Sequence, residues 1–176
     1  MSKEKLKSII KELYPYILIV IIVVLFRTFI ATPVRVDGSS MDSTLKDGDI
    51  LILNKLNNSY ERFDVVVVEV TVDGKKSKLV KRIIGLPGES IKYKNNELYI
   101  NNKIIDDVAT ERTNDFTLEE LYTIKRIPKD TYFVMGDNRN NSRDSRDYTV
   151  GLIKKENIVG TTTTRLFPFN KIGKFN

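Results

Sequence analysis

The chain has 176 residues, with 29 Lys and Arg against 23 Asp and Glu, which gives a net charge of +6. A chain of this length can form one domain with a substantial core plus a small addition. The sequence contains no Cys and no His. This excludes disulfides, thiolate nucleophiles, Ser-His-Asp triads and zinc sites built on imidazole. Basic and acidic residues are interleaved without a long basic run, so we expect no nucleic-acid partner.

Residues 13–31 are predicted to form a membrane anchor. Leu13–Phe26 (LYPYILIVIIVVLF) carries no charge, and apolar residues continue after Arg27. As a helix, residues 13–30 would extend about 27 Å. This nearly matches a hydrocarbon core of about 30 Å, and Arg27 can extend its guanidinium to the headgroups.

We expect the anchor to remain uncleaved. Cleavage after Ala31 would place Phe29 at a position where a signal-peptide cleavage site needs a small residue. The basic segment 1–12 favours a cytoplasmic N-terminus. Residues 32–176 would then lie outside the cytoplasm, and the protein would be a single-pass protein of the plasma membrane. The lysines of the basic segment are Lys3, Lys5, Lys7 and Lys11.

After Pro33 the sequence changes to short β-rich runs separated by turn signals. Asp73-Gly74 separates two of these runs and predicts a hairpin. A short helix is predicted after Thr117, which has capping-box spacing with Glu120. The more polar residues 95–130 are predicted to form a subsidiary lobe. Predicted strands include 50–54, 64–72, 78–84 and 131–135.

Three motifs carry residues capable of chemistry. They are GSSM (Gly38–Met41), KRIIGLPGE (Lys81–Glu89) and GDNRNNSRDSR (Gly136–Arg146). Taken singly, the first reads as a turn, the second as a strand with a solvent-facing lysine, and the third as a solvated loop or a calcium site. Arginines among the candidate ligands and the wrong spacing for an EF-hand argue against calcium.

Taken together, the motifs fit a hydrolase with a serine nucleophile and a lysine base. A free lysine has a pKa of about 10.4, so only about one molecule in 2,500 carries a neutral amine near pH 7. Burial lowers that pKa because it disfavours the charged form. The apolar neighbours of Lys81 in sequence are Leu79, Val80, Ile83 and Ile84.

In this order behind an N-terminal anchor, the motifs resemble the boxes of bacterial type I signal peptidases (leader peptidases) of the short, single-anchor form. The resemblance implies a mainly β, signal-peptidase-like catalytic domain with a small subsidiary lobe behind one transmembrane helix. It implies a serine endopeptidase that removes signal peptides from exported preproteins, cutting after small-x-small. The implied partners are preprotein signal peptides, the bilayer and the export translocon, and no cofactor or metal is implied.

The resemblance also implies roles for individual residues. Ser40 would be the nucleophile, with its backbone N–H as an oxyanion donor, and Lys81 would be the general base. Ser142 would hydrogen-bond the Lys81 amine. Ion pairs of Asp144 with Arg146 and of Arg82 with Asp137 would support the site, and Met41 and Ile83 would contact the substrate, which would add a strand beside 34–38 and 79–83.

The sequence departs from the family pattern at two positions in the first box. Gly38 stands where many members have a Ser or Thr that acts as a second oxyanion donor, a role that Ser39 could take instead. Ser43 stands where the family often has Pro, which predicts a less rigid turn.

Two other functions fit parts of the sequence. A self-cleaving, repressor-like Ser/Lys peptidase would share the dyad, but it would carry a DNA-binding domain where this chain has an apolar segment. A membrane-displayed, non-catalytic β-rich binding module would tolerate mutation of Ser40 and would not react with acylating serine reagents.

Overall fold

The computed structural model describes residues 3–72 and 74–175. One long helix, α1, precedes a domain made of two antiparallel sheets and a short helix, α2. The helices are α1 (Lys3–Phe29) and α2 (Leu118–Tyr122). The strands are β1 (Ala31–Arg35), β2 (Ile50–Asn54), β3 (Val65–Val72), β4 (Lys75–Gly85), β5 (Ile91–Lys94), β6 (Glu97–Ile100), β7 (Lys103–Ile105), β8 (Phe116–Thr117), β9 (Thr131–Met135), β10 (Ile153–Lys154), β11 (Ile158–Phe167) and β12 (Gly173–Lys174).

The helix α1 starts earlier and ends earlier than the predicted anchor. It already includes most of the predicted basic segment, 1–12. Its Ile10–Phe29 portion is long and apolar enough to cross a membrane. Ala31, predicted as the last anchor residue, is instead the first residue of β1. The reason is local, because Pro33 disfavours helical geometry in the residue before it and cannot donate a backbone hydrogen bond.

The larger sheet has the strand order β1-β2-β11-β3-β4-β9-β10, with β12 also paired to β11. The valine-rich β3 lies inside this sheet, and its side chains from Val65 to Val68 are buried. The predicted hairpin joins β3 to β4, with Val72 opposite Lys75. Asp73, which was predicted in its turn, lies outside the described residues.

The smaller sheet has the order β7-β6-β5-β8 and forms the subsidiary lobe. It begins at Ile91, so the lobe starts before the predicted boundary at residue 95. Two Asn-Asn pairs make its hairpin turns, Asn95-Asn96 and Asn101-Asn102, and all four residues have positive φ. Two consecutive residues of positive φ are what a type I′ hairpin turn requires. The helix α2 follows β8 with the predicted capping box of Thr117 and Glu120.

One hydrophobic cluster joins the two sheets. Phe116 of β8 stacks on Phe133 of β9 with ring centroids 5.7 Å apart. A buried polar contact adds to this, because Arg139 donates to the Tyr93 hydroxyl at 2.6 Å and to an Asp107 carboxylate oxygen at 2.8 Å. The subsidiary sheet is therefore fastened to the segment that follows β9.

Replacing Arg139 should destabilise the domain strongly. The Arg139→Met variant leaves the Asp107 carboxylate, 15% exposed, without its cation, and breaking a buried ion pair costs about 3–5 kcal/mol. Urea unfolding of the full chain in detergent, followed by circular dichroism, measures this loss. Arg112→Met, at an exposed position, is the control and should change little. A loss for Arg139→Met as small as the control's would contradict the proposed bridging role.

Candidate active site

Strand pairing brings the second and third motifs together. Lys81 lies on β4, and the next residue, Arg82, is opposite Met135 at the end of β9. The third motif begins at Gly136, directly after β9, so its loop starts beside Lys81. Two motifs that are 55 residues apart in sequence thereby become neighbours.

The third motif also holds the turn that carries Ser40. The Asn138 backbone N–H donates to the carbonyl of Ser40 at 3.0 Å, and the Asn138 amide donates to the carbonyl of Ser39, also at 3.0 Å. The Asn141 amide donates to the Ser39 hydroxyl at 2.9 Å. Within the turn, the Asp42 N–H donates to the carbonyl of Ser39. Ser40 is half-buried, and its turn is held in place by hydrogen bonds from the third motif.

The hydroxyl of Ser40 contacts the amine of Lys81. Ser40 Oγ and Lys81 Nζ are 2.5 Å apart, and Lys81 is only 2% exposed. Burial lowers the pKa of Lys81 to about 8, against the opposite effect of the Asp144 and Asp137 carboxylates. The Arg146 guanidinium lowers this pKa as well.

The lowered pKa changes what the amine can do near neutral pH. With a pKa of about 8, about one Lys81 in ten is neutral at pH 7, against about one in 2,500 for a free lysine. A neutral amine in contact with a hydroxyl can accept its proton as the oxygen attacks a carbonyl. The pair thus has the geometry and the ionisation of an activated serine nucleophile.

Asp144 is fully buried beside the pair and is held by Arg146. The Arg146 guanidinium donates to both carboxylate oxygens, at 2.9 and 2.8 Å, and the Gly136 N–H donates at 3.0 Å. Burial alone would raise the pKa of Asp144, but the hydrogen bonds and charge of Arg146 outweigh it and lower that pKa. The carboxylate is therefore ionised and neutralised by its own cation.

Arg82 and Asp137 form a second buried ion pair. Arg82 Nε and Nη2 donate to the two oxygens of Asp137, at 2.8 and 2.6 Å. The Thr44 hydroxyl donates to Asp137 at 2.6 Å, and Arg82 Nη1 donates to the carbonyl of Phe63 at 2.9 Å. Through Thr44, this pair also supports the turn that carries Ser40.

Comparisons with known proteins identify the family of this chain. A sequence profile of the family described as "Signal peptidase, peptidase S26" matches residues 8–167. This chain belongs to the signal peptidase family. It is 40% identical to signal peptidase I of Bacillus amyloliquefaciens, over 90% of this chain and 88% of the relative. It is 38% identical to signal peptidase I S of Bacillus subtilis, over 98% and 97%.

A solved structure supports the same assignment. The crystal structure of a signal peptidase I from Enterococcus faecalis V583 superposes with a TM-score of 0.51 at 34% sequence identity. It covers 58% of this chain and 96% of that chain. Membership of the signal peptidase family makes this protein an enzyme, a serine peptidase among the hydrolases, and supports the removal of signal peptides as its reaction. The non-catalytic binding module and the repressor-like peptidase are therefore not supported.

The hydrogen bond expected between Ser142 and Lys81 is not formed. Ser142 Oγ is buried and makes no hydrogen bond to the Lys81 amine, which contacts Ser40 instead. The Ser142 hydroxyl still contributes to lowering the pKa of Asp144. It also packs against Gly136, where an added Cβ would lie 2.2 Å from Ser142 Oγ.

Met41 and Ile83, expected to contact substrate, are both buried in this structure. Met41 is 1% exposed and packs with Leu45 and Leu51, whereas Ile83 is fully buried beside Val134. Neither side chain presents open surface to a substrate, because both face hydrophobic clusters of the larger sheet. Their part in the signal peptidase fold is to pack the core under the site.

Gly38 has a backbone conformation that disfavours the side chain found in many signal peptidases. Its φ is +89°, a region that side-chain-bearing residues rarely adopt. Its N–H donates to an Asp47 carboxylate oxygen at 2.8 Å and is therefore occupied. In contrast, the part of the chain that the structure describes offers no acceptor to the backbone N–H of Ser40.

Three residues that shape this site were not predicted from the sequence. Asn138 and Asn141 hold the turn of Ser40, and Thr44 joins that turn to Asp137. The two asparagines lie inside the third motif, so the density of polar residues there was the available signal. Nothing near Thr44 in sequence indicated its partner. In the described part of the chain, no group of Asp and Glu side chains could hold a metal ion.

A methyl group at Gly136 should disable the site. In the Gly136→Ala variant, the new Cβ would lie 2.4 Å from the carbonyl oxygen of Ser40, so the turn must move. A displacement of about 1 Å in a catalytic group can cost about 100-fold in rate. Peptidase assays should show that loss in kcat.

Gly88→Ala is the control, because Gly88, unlike Gly136, has open space around it, although its positive φ strains an alanine. This control should lose stability and keep its turnover per folded molecule. Full turnover in Gly136→Ala would contradict the close packing of the two motifs.

Proposed function

We propose that this protein is a membrane-anchored serine endopeptidase that uses a Ser40/Lys81 dyad to remove signal peptides from exported preproteins. The observation that carries the proposal is the 2.5 Å contact between Ser40 Oγ and the buried Lys81 amine. Relatives named signal peptidase I, matched over nearly the whole chain, support the substrate class.

The reaction would proceed through an acyl-enzyme. Lys81 takes the proton of Ser40 as Oγ attacks the carbonyl carbon of the scissile bond. The protonated amine then passes that proton to the leaving amine of the mature protein as the peptide bond breaks. A water molecule, deprotonated by Lys81, attacks the ester. Lys81 returns that proton to Ser40 Oγ as the signal peptide leaves with a new carboxylate.

The backbone N–H of Ser40 is the proposed donor to the oxyanion of the tetrahedral intermediate. It is free of other acceptors among the described residues, as such a donor must be. Ser39 is the proposed source of a second donor, because the Gly38 N–H is already bound to Asp47. The Asn141 amide donates to the Ser39 hydroxyl oxygen, so the hydroxyl proton of Ser39 remains available to donate.

A preprotein would bind as an extended strand between two open sheet edges. β1 ends the larger sheet and, among the strands that the structure describes, pairs only with β2. β4 pairs with β9 only from Arg82 onward, so residues 79–81 keep a free edge on that side. The sequence predicted a wider range, 79–83, but Arg82 and Ile83 already pair with β9 on that side. Strand addition at such edges uses backbone hydrogen bonds, and we propose that cleavage follows a small-x-small sequence.

We propose that α1 spans the plasma membrane once, with a cytoplasmic N-terminus and the catalytic domain outside the cytoplasm. The apolar Ile10–Phe29 portion supports the span, and the lysines before it support the orientation. The partners in this proposal are preproteins, the lipid bilayer and the export translocon that delivers preproteins to it.

Replacing Ser40 should abolish cleavage, whereas replacing the nearby Ser43 should not. Ser40→Ala removes the nucleophile, so we expect a loss of at least about 10³-fold in kcat. Ser43→Ala, at an exposed position in the same turn, removes a hydroxyl that the proposed mechanism does not use and should keep most activity. The assay uses full-length protein in detergent with a secretory preprotein, and the new N-terminus is sequenced.

Equal losses for the two variants would contradict the assignment of the nucleophile. Absence of cleavage by the unaltered protein across several preproteins would overturn the peptidase proposal.

Activity should rise with pH through the pKa of Lys81. Only the neutral amine can accept a proton, so kcat/KM should fall about tenfold per pH unit below the pKa and level off above it. The expected midpoint is about 8. Arg146→Met should move the midpoint to higher pH, because it removes a cation that lowers this pKa and leaves Asp144 without its partner. A midpoint at the value of a free lysine would contradict a buried base.

A further inference from the structure

The end of α1 meets the domain through hydrogen bonds centred on Lys55, a residue outside the catalytic site. The Lys55 Nζ donates to the carbonyls of Arg27 at 3.0 Å and Thr28 at 3.2 Å. Its backbone N–H donates to the carbonyl of Ile30 at 3.0 Å. Carbonyls in the last turn of a helix lack partners within the helix, so Lys55 satisfies two of them, and the carbonyl of Ile30 just beyond the helix, from the domain side.

The charge of Lys55 suits this position. Lys55 is half-buried, and it forms no ion pair with a carboxylate in the part of the chain that the structure describes. The C-terminal end of a helix carries a partial negative charge, which stabilises a nearby cation. The Thr32 hydroxyl adds a further hydrogen bond of 2.8 Å to the carbonyl of Arg27.

This contact leaves little freedom between α1 and the catalytic domain. Only Ile30 separates α1 from β1. The first residue of β1, Ala31, lies opposite Asn54 of β2, the residue directly before Lys55. The helix end, both strands and Lys55 therefore form one junction. Ser40 follows β1 within a few residues, so its height above the helix end is set by this junction and not by a flexible linker.

We propose that Lys55 is a positioning residue that fixes the height and orientation of Ser40 relative to membrane-inserted signal peptides. The inference rests on the proposed function, in which α1 spans the bilayer and Ser40 cuts preproteins. A preprotein whose apolar segment lies in the same bilayer reaches Ser40 only where the two heights match. A short soluble peptide diffuses to the site freely and does not depend on that match.

The test compares these two substrates on the same variants. Full-length protein is placed in vesicles of phosphatidylethanolamine and phosphatidylglycerol. It is then given a vesicle-inserted preprotein or a soluble peptide with the same cleavage sequence. For Lys55→Met we expect kcat/KM on the preprotein to fall about tenfold, because small misplacements of reacting groups are costly. Cleavage of the peptide should stay unchanged, which also shows that the domain is folded.

Two further variants and one substrate series sharpen the result. Lys55→Arg keeps a cationic donor and should restore most preprotein cleavage, whereas Lys103→Met, at an exposed position on β7, should change nothing. The unaltered protein should show clearly different kcat/KM values for preproteins whose apolar segment is lengthened or shortened by one helical turn. Lys55→Met should distinguish them less.

The outcomes separate the two proposals. If the unaltered protein cleaves neither substrate, the proposed function fails. If it cleaves both, and Lys55→Met cleaves the preprotein equally well, only the positioning role is overturned. Equal losses on preprotein and peptide would also overturn it, because they would indicate a purely structural role.

Discussion

The site depends on burying a lysine without giving it a carboxylate of its own. Lys81 has two aspartates near it, Asp137 and Asp144, and either one unpaired would hold the amine in its charged form. Each aspartate is instead bound through both oxygens by an arginine, Arg82 or Arg146. The two arginines balance the two aspartates, so burial controls the ionisation of Lys81. Because desolvation offsets much of the attraction within a buried ion pair, these pairs add little net stability. Their main effect is on the ionisation of Lys81.

The loop after β9 links every part of this arrangement. Its two aspartates hold the arginines, and Asn138 and Asn141 hold the turn of Ser40. Arg139 of the same loop reaches the subsidiary sheet through Tyr93 and Asp107. Because the loop begins at the end of a strand paired with β4, its position is fixed relative to Lys81. The subsidiary sheet is therefore bonded to the same loop that holds the turn of Ser40.

The junction between α1 and the domain is also short. A single residue joins α1 to β1, and β1 leads within a few residues to Ser40. In the proposed function Ser40 acts at a defined height above the membrane, and a short, hydrogen-bonded junction would fix that height. Long flexible linkers would let the domain sample many heights.

Local sequence determined much of this protein. The apolar run predicted α1, the capping box of Thr117 and Glu120 predicted α2, and the alternation of β-rich runs and turns predicted most strands. These features depend on residues within a few positions of each other, where helix capping, turn geometry and hydropathy act directly. The Asp144–Arg146 pair was expected only from the family resemblance of the third motif. The composition, through the absence of His, already indicated a lysine base.

Only the tertiary structure decided which distant residues meet. Ser40 and Lys81 are 41 positions apart, and Lys55 lies 28 positions from Arg27. Strand order and register set these contacts, and no local propensity encodes them. The burial of Met41 and Ile83 and the absence of a hydrogen bond from Ser142 to Lys81 arise in the same way. Whether a side chain faces a core, a substrate or another polar group depends on what the rest of the chain packs against it.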